Sequence, residues 1–220
     1  MPDFLEFPWR SCLLALLLAS PAAAQTNHPA VIDRRMNEAR YSRSRGTNEV
    51  DTIMLHFSSD ALAHPEDPFN VERVINIFSN ATASAHYLID REGNIYRLIS
   101  EKRAAYHAGK GVLPWPPYRT NLNSASIGIE MLNVSAWEDM KIFLPQATYD
   151  KIPKADIGYT DAQYQALNWL LADIRQRWPL IPYDRHHIIS HSDYAPRRRT
   201  DPGVLFDWTK IGLPATMPKN

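Results

Sequence analysis

Cysteine is almost missing from this chain: Cys12 is the only one in 220 residues. No intrachain disulfide can form, so the fold is held by its core and by any metal it binds. An excess of charge of one sign is missing too. Lysine and arginine total 24 and aspartate and glutamate total 24, which excludes the global positive field of a dedicated nucleic-acid binder. There is no internal repeat and no low-complexity tract. Nor is there an apolar run long enough to span a bilayer comfortably, since Ser11–Ser20 is short, and no stable membrane anchor is expected. With 45% hydrophobic residues the chain can nonetheless bury a sizeable core, and its length fits one domain better than two.

The first 24 residues read as a targeting segment. Leu13, Leu14, Leu16, Leu17 and Leu18 lie among alanines, and Pro21-Ala22-Ala23-Ala24 supplies the small residues that precede a cleavage site. Export to the periplasm is the expectation, with secretion outside the cell as the alternative. Cys12 lies ahead of most of the apolar run, where a lipidated cysteine would not stand. Residues 25–49 are polar and rich in arginine (Arg34, Arg35, Arg40, Arg43, Arg45) without an apolar period, and read as a solvated lead-in. A sharper reading gives this stretch an electrostatic attraction to an anionic envelope polymer. A single catalytic domain is expected over residues 50–210, followed by a tail over 211–220.

Regular structure is expected to begin with the apolar run Thr52–Phe57, a buried strand. Val71, Val74, Ile75 and Phe78 follow helical spacing behind Asn70, a good cap. Tyr87–Ile89 and Ile95–Ile99 flank Asp90-Arg91-Glu92-Gly93-Asn94 as the arms of a hairpin. Lys110–Asn123, with Pro114, Trp115, Pro116, Pro117 and Tyr118, suits a stiff aromatic wall better than a helix or strand. Ser126–Leu132 is a further strand, and Asn133–Tyr159 is unassigned, a candidate insertion beside a cleft. Thr160 and Gln163 form a capping box before the stripe Leu167, Leu170, Leu171, Ile174 and Trp178, with Pro179 closing the helix. A short strand, Ile188–Ser190, delivers His191.

Three apolar runs thus lead into a residue able to do chemistry: His56, Glu130 and His191. In an open α/β sheet such side chains can meet where the strands end. With Asp201, the two histidines make a ligand set that leaves a fourth metal position open, which suits catalytic zinc and points to a hydrolase. Each residue also has a plainer role available. A lone histidine beside an apolar run is commonly structural, and Asp201 could cap a turn with Pro202 and Gly203. Glu130 inside IGIEML is costly to bury unless paired, hydrogen-bonded or employed. His86 reads mainly as structural, His186 and His187 as orienting the last strand or supporting the metal, and His28 and His64 carry no assigned role. Asn80 and Asn133 head glycosylation sequons, relevant only in a source that glycosylates exported proteins.

Five ordered segments carry a specific resemblance: LHFS around His56, SAHYLIDREGNIYRLI from Ser84, AYHAG around His107, NSASIGIE ending at Glu130, and HSDYAPRRRTDPGVLFDW from His191. Together they resemble the zinc-dependent N-acetylmuramoyl-L-alanine amidases of the second amidase family, across Val50 to Trp208. The resemblance implies an α/β fold: a single domain with a central mixed β-sheet flanked by helices, as in the peptidoglycan recognition proteins and amidases. It implies that His56, His191 and Asp201 bind Zn2+, that Glu130 is the catalytic carboxylate, and that His107 and Asn123 border the muropeptide. Trp115 is expected to contribute a wall for sugar or peptide. Arg199 departs from the lysine common at that position, and is expected to stabilise the oxyanion with a larger, differently hydrated group. The expected partner is peptidoglycan or a muropeptide, with no nucleic acid, and the chain is expected to act as a monomer. A peptidoglycan-binding module without catalysis would need neither the full ligand set nor Glu130. A zinc peptidase of the same fold would differ in the amine it releases.

Overall fold

The computed structural model describes residues 29–46 and 50–217. Residues 1–24, read above as a targeting segment, lie outside the described residues with Cys12 and His28. A six-stranded sheet runs in the order β1 (Val31–Asp33), β5 (Ile95–Arg97), β4 (Tyr87–Ile89), β7 (Ser126–Leu132), β3 (Thr52–Ser58), β8 (Ile188–Ser190). It is mixed: β4 and β5 pair antiparallel, and every other neighbouring pair is parallel. A separate two-stranded antiparallel ribbon joins β2 (Ser42–Ser44) to β6 (Arg103–Ala105).

Strand alternation divides the apolar residues between two faces. Ile53 and Leu55 of β3, Ile127, Ile129 and Met131 of β7, Ile188 of β8 and Tyr87 and Ile89 of β4 pack with Leu167, Leu170, Leu171 and Ile174 of α6 (Asp161–Arg177). The opposite face takes Leu88 with Val74, Ile75 and Phe78 of α2 (Val71–Asn80), and Met54 and Ile189 with Tyr194 and with Leu122 of α3 (Leu122–Ala125). Residues 54, 56, 128 and 130 share the side away from α6, so the parity that buries Ile53 and Ile129 also places His56 and Glu130 together.

The expected helices form for the expected reasons. Asn70 Oδ1 accepts from Arg73 N at 3.0 Å, and Thr160 and Gln163 close a full capping box before α6. A cap contributes about 1 kcal/mol, whereas each large aliphatic side chain buried contributes about 1.5–3 kcal/mol, so the stripe holds α6 and the cap sets where it starts. The hairpin turns at Gly93, whose φ of +85° suits glycine; a Cβ there would lie 2.7 Å from the Ala162 carbonyl oxygen. Its second arm ends at Arg97, two residues before the expected Ile99.

Residues 31–44 depart from the solvated lead-in expected of them. β1 sits at the sheet edge alongside β5, α1 (Glu38–Tyr41) follows, and β2 pairs with β6. Met36 and Tyr41 are buried in the α2 cluster, and the Arg45 guanidinium donates to the carbonyls of Ser126 and Glu101. An edge strand held by backbone pairing with exposed side chains leaves no apolar period to read, and here β1 is exposed throughout. The unassigned stretch 133–159 folds as α4 (Trp137–Met140), α5 (Gln146–Tyr149) and a 3-10 turn at Lys154–Asp156 around Val134, Met140, Leu144 and Ile152. No helix among the described residues is long and apolar enough to cross a membrane.

Candidate metal centre and active site

His56 and Glu130 are direct partners in the β3–β7 register. Both strands continue two residues past them, so the site lies on a sheet face near the carboxyl ends rather than beyond the ends. His191 opens α7 (His191–Tyr194), where Ser190 and Asp193 form a reciprocal cap that fixes the strand-to-helix turn. Asp201 returns from the following loop, its carbonyl accepting from Ser192 N at 3.1 Å.

One oxygen, Asp201 Oδ2, lies 2.7 Å from His56 Nδ1 and 3.0 Å from His191 Nδ1. The three donor atoms fall within 4.8 Å of one another, and the residues are at most 4% exposed. His191 Nε2 is 2.8 Å from the Ala108 carbonyl and 3.4 Å from Arg198 Nη2, which leaves Nδ1 turned to the carboxylate. His56 Nε2 is 3.0 Å from His107 Nδ1. Two imidazole nitrogens and a carboxylate oxygen converge out of water, and this N, N, O donor set could hold a divalent metal.

The electrostatics agree with the geometry. Burial drives His56 down to about 4; the adjoining His191 and Arg199 push the same way, against the pull of Asp201. Burial would raise the Asp201 carboxyl, but the two imidazoles beside it together hold it well below the usual carboxylate range. Burial, with the charge of Asp201, pushes Glu130 well above its ordinary value, while Ser58 and Arg199 oppose that rise. Glu130 Oε2 is buried and has no hydrogen-bond partner among the described residues. A carboxyl kept in reserve in this way, beside a cation site, suits proton transfer.

These groups line a cleft of about 260 Å³ with His107, Arg199, Ser58, Tyr106, Leu62 and Phe143. Met140, Phe143 and Leu144 bring the 133–159 segment to its border, as the sequence suggested. Asn123 and Trp115 are not among the lining residues. Asn123 accepts through Oδ1 from the backbone N–H groups of His107 (3.0 Å) and Ala108 (2.8 Å). Trp115, 9% exposed, packs edge-on against His186 at 5.5 Å between ring centroids and faces a second cavity with Pro116, Pro117 and Arg119. The wall expected of Trp115 is therefore elsewhere: the proline-rich loop turns its indole inward as a plug.

His186 is held by Trp115, and His187 by Asp184 at 2.8 Å; the outward nitrogens of His56 and His191 meet His107 and Ala108 instead. His86 is structural, accepting from Gly128 N through Nδ1 and donating to the Arg103 carbonyl through Nε2, both at 2.9 Å. Asn133 is fully buried, which closes that sequon in the folded protein, whereas Asn80 is exposed. The Ala108 carbonyl had no signal in the sequence, because a backbone oxygen looks alike at every residue.

A mixed sheet carrying a buried His-His-Asp cluster that could hold a metal ion, beside a glutamate with one unpaired buried oxygen, is an arrangement suited to a hydrolase. The N-acetylmuramoyl-L-alanine amidase model matches residues 46–204, and the chain belongs to that family. It is 28% identical over 188 residues to the N-acetylmuramoyl-L-alanine amidase AmiD of Escherichia coli, covering 81% of this chain and 55% of that protein. It is 34% identical over 128 residues to the 1,6-anhydro-N-acetylmuramyl-L-alanine amidase AmpD of Enterobacter cloacae, covering 58% of this chain and 54% of that one. The chain thus spans about half the length of these curated relatives. The solved structure of E. coli AmiD with anhydro-N-acetylmuramic acid-L-Ala-D-gamma-Glu-L-Lys superposes with a TM-score of 0.55 at 26% identity, over 81% of this chain and 60% of that one.

Proposed function

We propose that this protein hydrolyses the amide between N-acetylmuramic acid, or its anhydro form, and the L-alanine of a peptidoglycan stem peptide, using Zn2+ held by His56, His191 and Asp201. The observation that carries this reading is the buried Glu130, its Oε2 without a hydrogen-bond partner, beside the His-His-Asp cluster in a chain of the amidase family. When bound, zinc supplies a Lewis acid that polarises the scissile carbonyl and makes water more acidic. Glu130 takes the proton of the attacking water and delivers a proton to the departing amine. Arg199, on the cleft wall, offers its positive charge to the oxygen that gains negative charge. Leu62 and Phe143 give the cleft an apolar side. The leader-like residues 1–24 support a place of action in the periplasm, to be tested by cell fractionation.

The zinc-loaded protein, given purified anhydro-muropeptides and intact sacculi, should release peptides beginning with L-alanine, identified by mass spectrometry. Chelation should stop release, and Glu130→Gln should lower kcat by about 10²–10⁴-fold while zinc stays bound. A different released amine, or turnover indifferent to Glu130→Gln, would overturn the assignment.

A further inference from the structure

We infer that His107 and Ala108 form one bracket that orients both metal-facing histidines, and that Asn123, outside the cleft, is the positioning residue that holds this bracket in place. The inference rests on the reading of His56, His191 and Asp201 as a zinc site. His56 and His191 come from elements far apart in the chain, yet their outward nitrogens find partners on two consecutive residues: His107 Nδ1 at 3.0 Å and the Ala108 oxygen at 2.8 Å.

The direction of each hydrogen bond follows from the groups involved. Ser126 Oγ gives its hydrogen to the Leu122 carbonyl at 2.5 Å, so it receives from His107 Nε2 at 3.3 Å. His107 then carries its proton on Nε2 and accepts through Nδ1 from His56 Nε2–H. Ala108, a carbonyl, accepts from His191 Nε2–H. Both rings are thereby oriented with Nε2 outward and Nδ1 turned toward Asp201 Oδ2, which is the task outer partners perform at metal sites.

Three features hold the bracket. Asn123 Oδ1 receives the N–H groups of both residues, tying their peptide planes to a single atom. Gly128 leaves the place on β7 where the His107 ring lies; a Cβ there would fall 2.5 Å from the ring's Cγ. On the solvent side, Arg198 Nη2 donates to the Ala108 and Lys110 carbonyls at 2.8 and 2.7 Å. Neither Asn123 nor Gly128 lines the cleft, so their influence on the site passes through the bracket.

The test compares zinc affinity, by competition with a chromophoric chelator, with kcat and KM on a muropeptide for Asn123→Leu, Asn123→Asp and His107→Phe. Asn123→Leu and His107→Phe should each weaken zinc binding by about 10–100-fold. Asn123→Asp, which keeps an oxygen for both N–H groups, should recover most of the loss. The two losses should combine to less than their product in the double variant, since both act through one segment. Circular dichroism of the chelated proteins checks the fold; should Asn123→Leu unfold, His107→Phe, which keeps ring volume, and the Asn123→Asp comparison still decide. Wild-type zinc affinity in Asn123→Leu and His107→Phe, with KM alone raised, would overturn the bracket and make the pair substrate contacts, leaving the zinc reading intact. If the wild type itself binds no zinc, both readings fall together.

Discussion

His86 shows what a buried imidazole costs when no metal is there to share it. Burial, reinforced by Arg45, lowers it from 6.5 to about 3, and burial lowers His56 to about 4. Unfolded, both rings take up protons near pH 6.5; folded, they resist until far lower. Their contribution to stability is therefore complete above pH 6.5 and is lost as pH falls toward 4 and 3, at up to about 1.4 kcal/mol per pH unit for each ring. Urea unfolding of the chelated protein between pH 7 and 4 should show stability falling with acid, with a shallower slope in His86→Gln. An unchanged slope would mean His86 is not the buried neutral group described. At this scale the sequence was informative wherever a residue type is chemically unusual for its surroundings. His56, Glu130 and His191 stood out as polar groups in or beside apolar runs, Asp201 as a carboxylate after a basic loop, and the structure brings them together. Trp115 did not reveal its role, because an indole between prolines can equally line a cleft or plug one. Asn123 was noticed for its place in a motif, while its two backbone partners depend on a loop path that no local pattern records.

Elements announced themselves when they had a buried face. The strands β3, β7 and β8 and the helices α2 and α6 could be read from period and caps, because each must hide a row of apolar side chains. β1 and β2 were invisible for the complementary reason: their pairing uses backbone groups, and their side chains stay mostly in water. The β4–β5 turn depends on a backbone conformation as well as on pattern. Gly93→Ala places a Cβ at positive φ and against the Ala162 carbonyl, so it should cost about 1–3 kcal/mol in urea denaturation. The loss should be independent of zinc, since the turn lies at the start of α6 and away from the cleft. A zinc-dependent loss would show that the hairpin and the metal cluster unfold as one unit.

For the molecule as a whole, the metal is expected to be part of the stability as well as the chemistry. No disulfide is possible, and the cluster ties β3, α7 and the 195–201 loop at one point. Zinc at a thousandfold excess over its dissociation constant should stabilise the fold by about 4 kcal/mol, seen as a rise in melting temperature that chelator reverses. Equal melting with zinc and with chelator would mean that the folded state does not bind it preferentially.

The register of β3 against β7 has one more consequence. His56 faces Glu130 across a ladder whose partners on the other side of the sheet are Leu55 and Ile129. Sliding one strand by a single residue would expose greasy side chains and drive a histidine or a glutamate into the hydrocarbon layer under α6. Errors of assembly are thus penalised before any substrate is met, and a correctly zipped sheet brings its reactive pair into line without separate instruction.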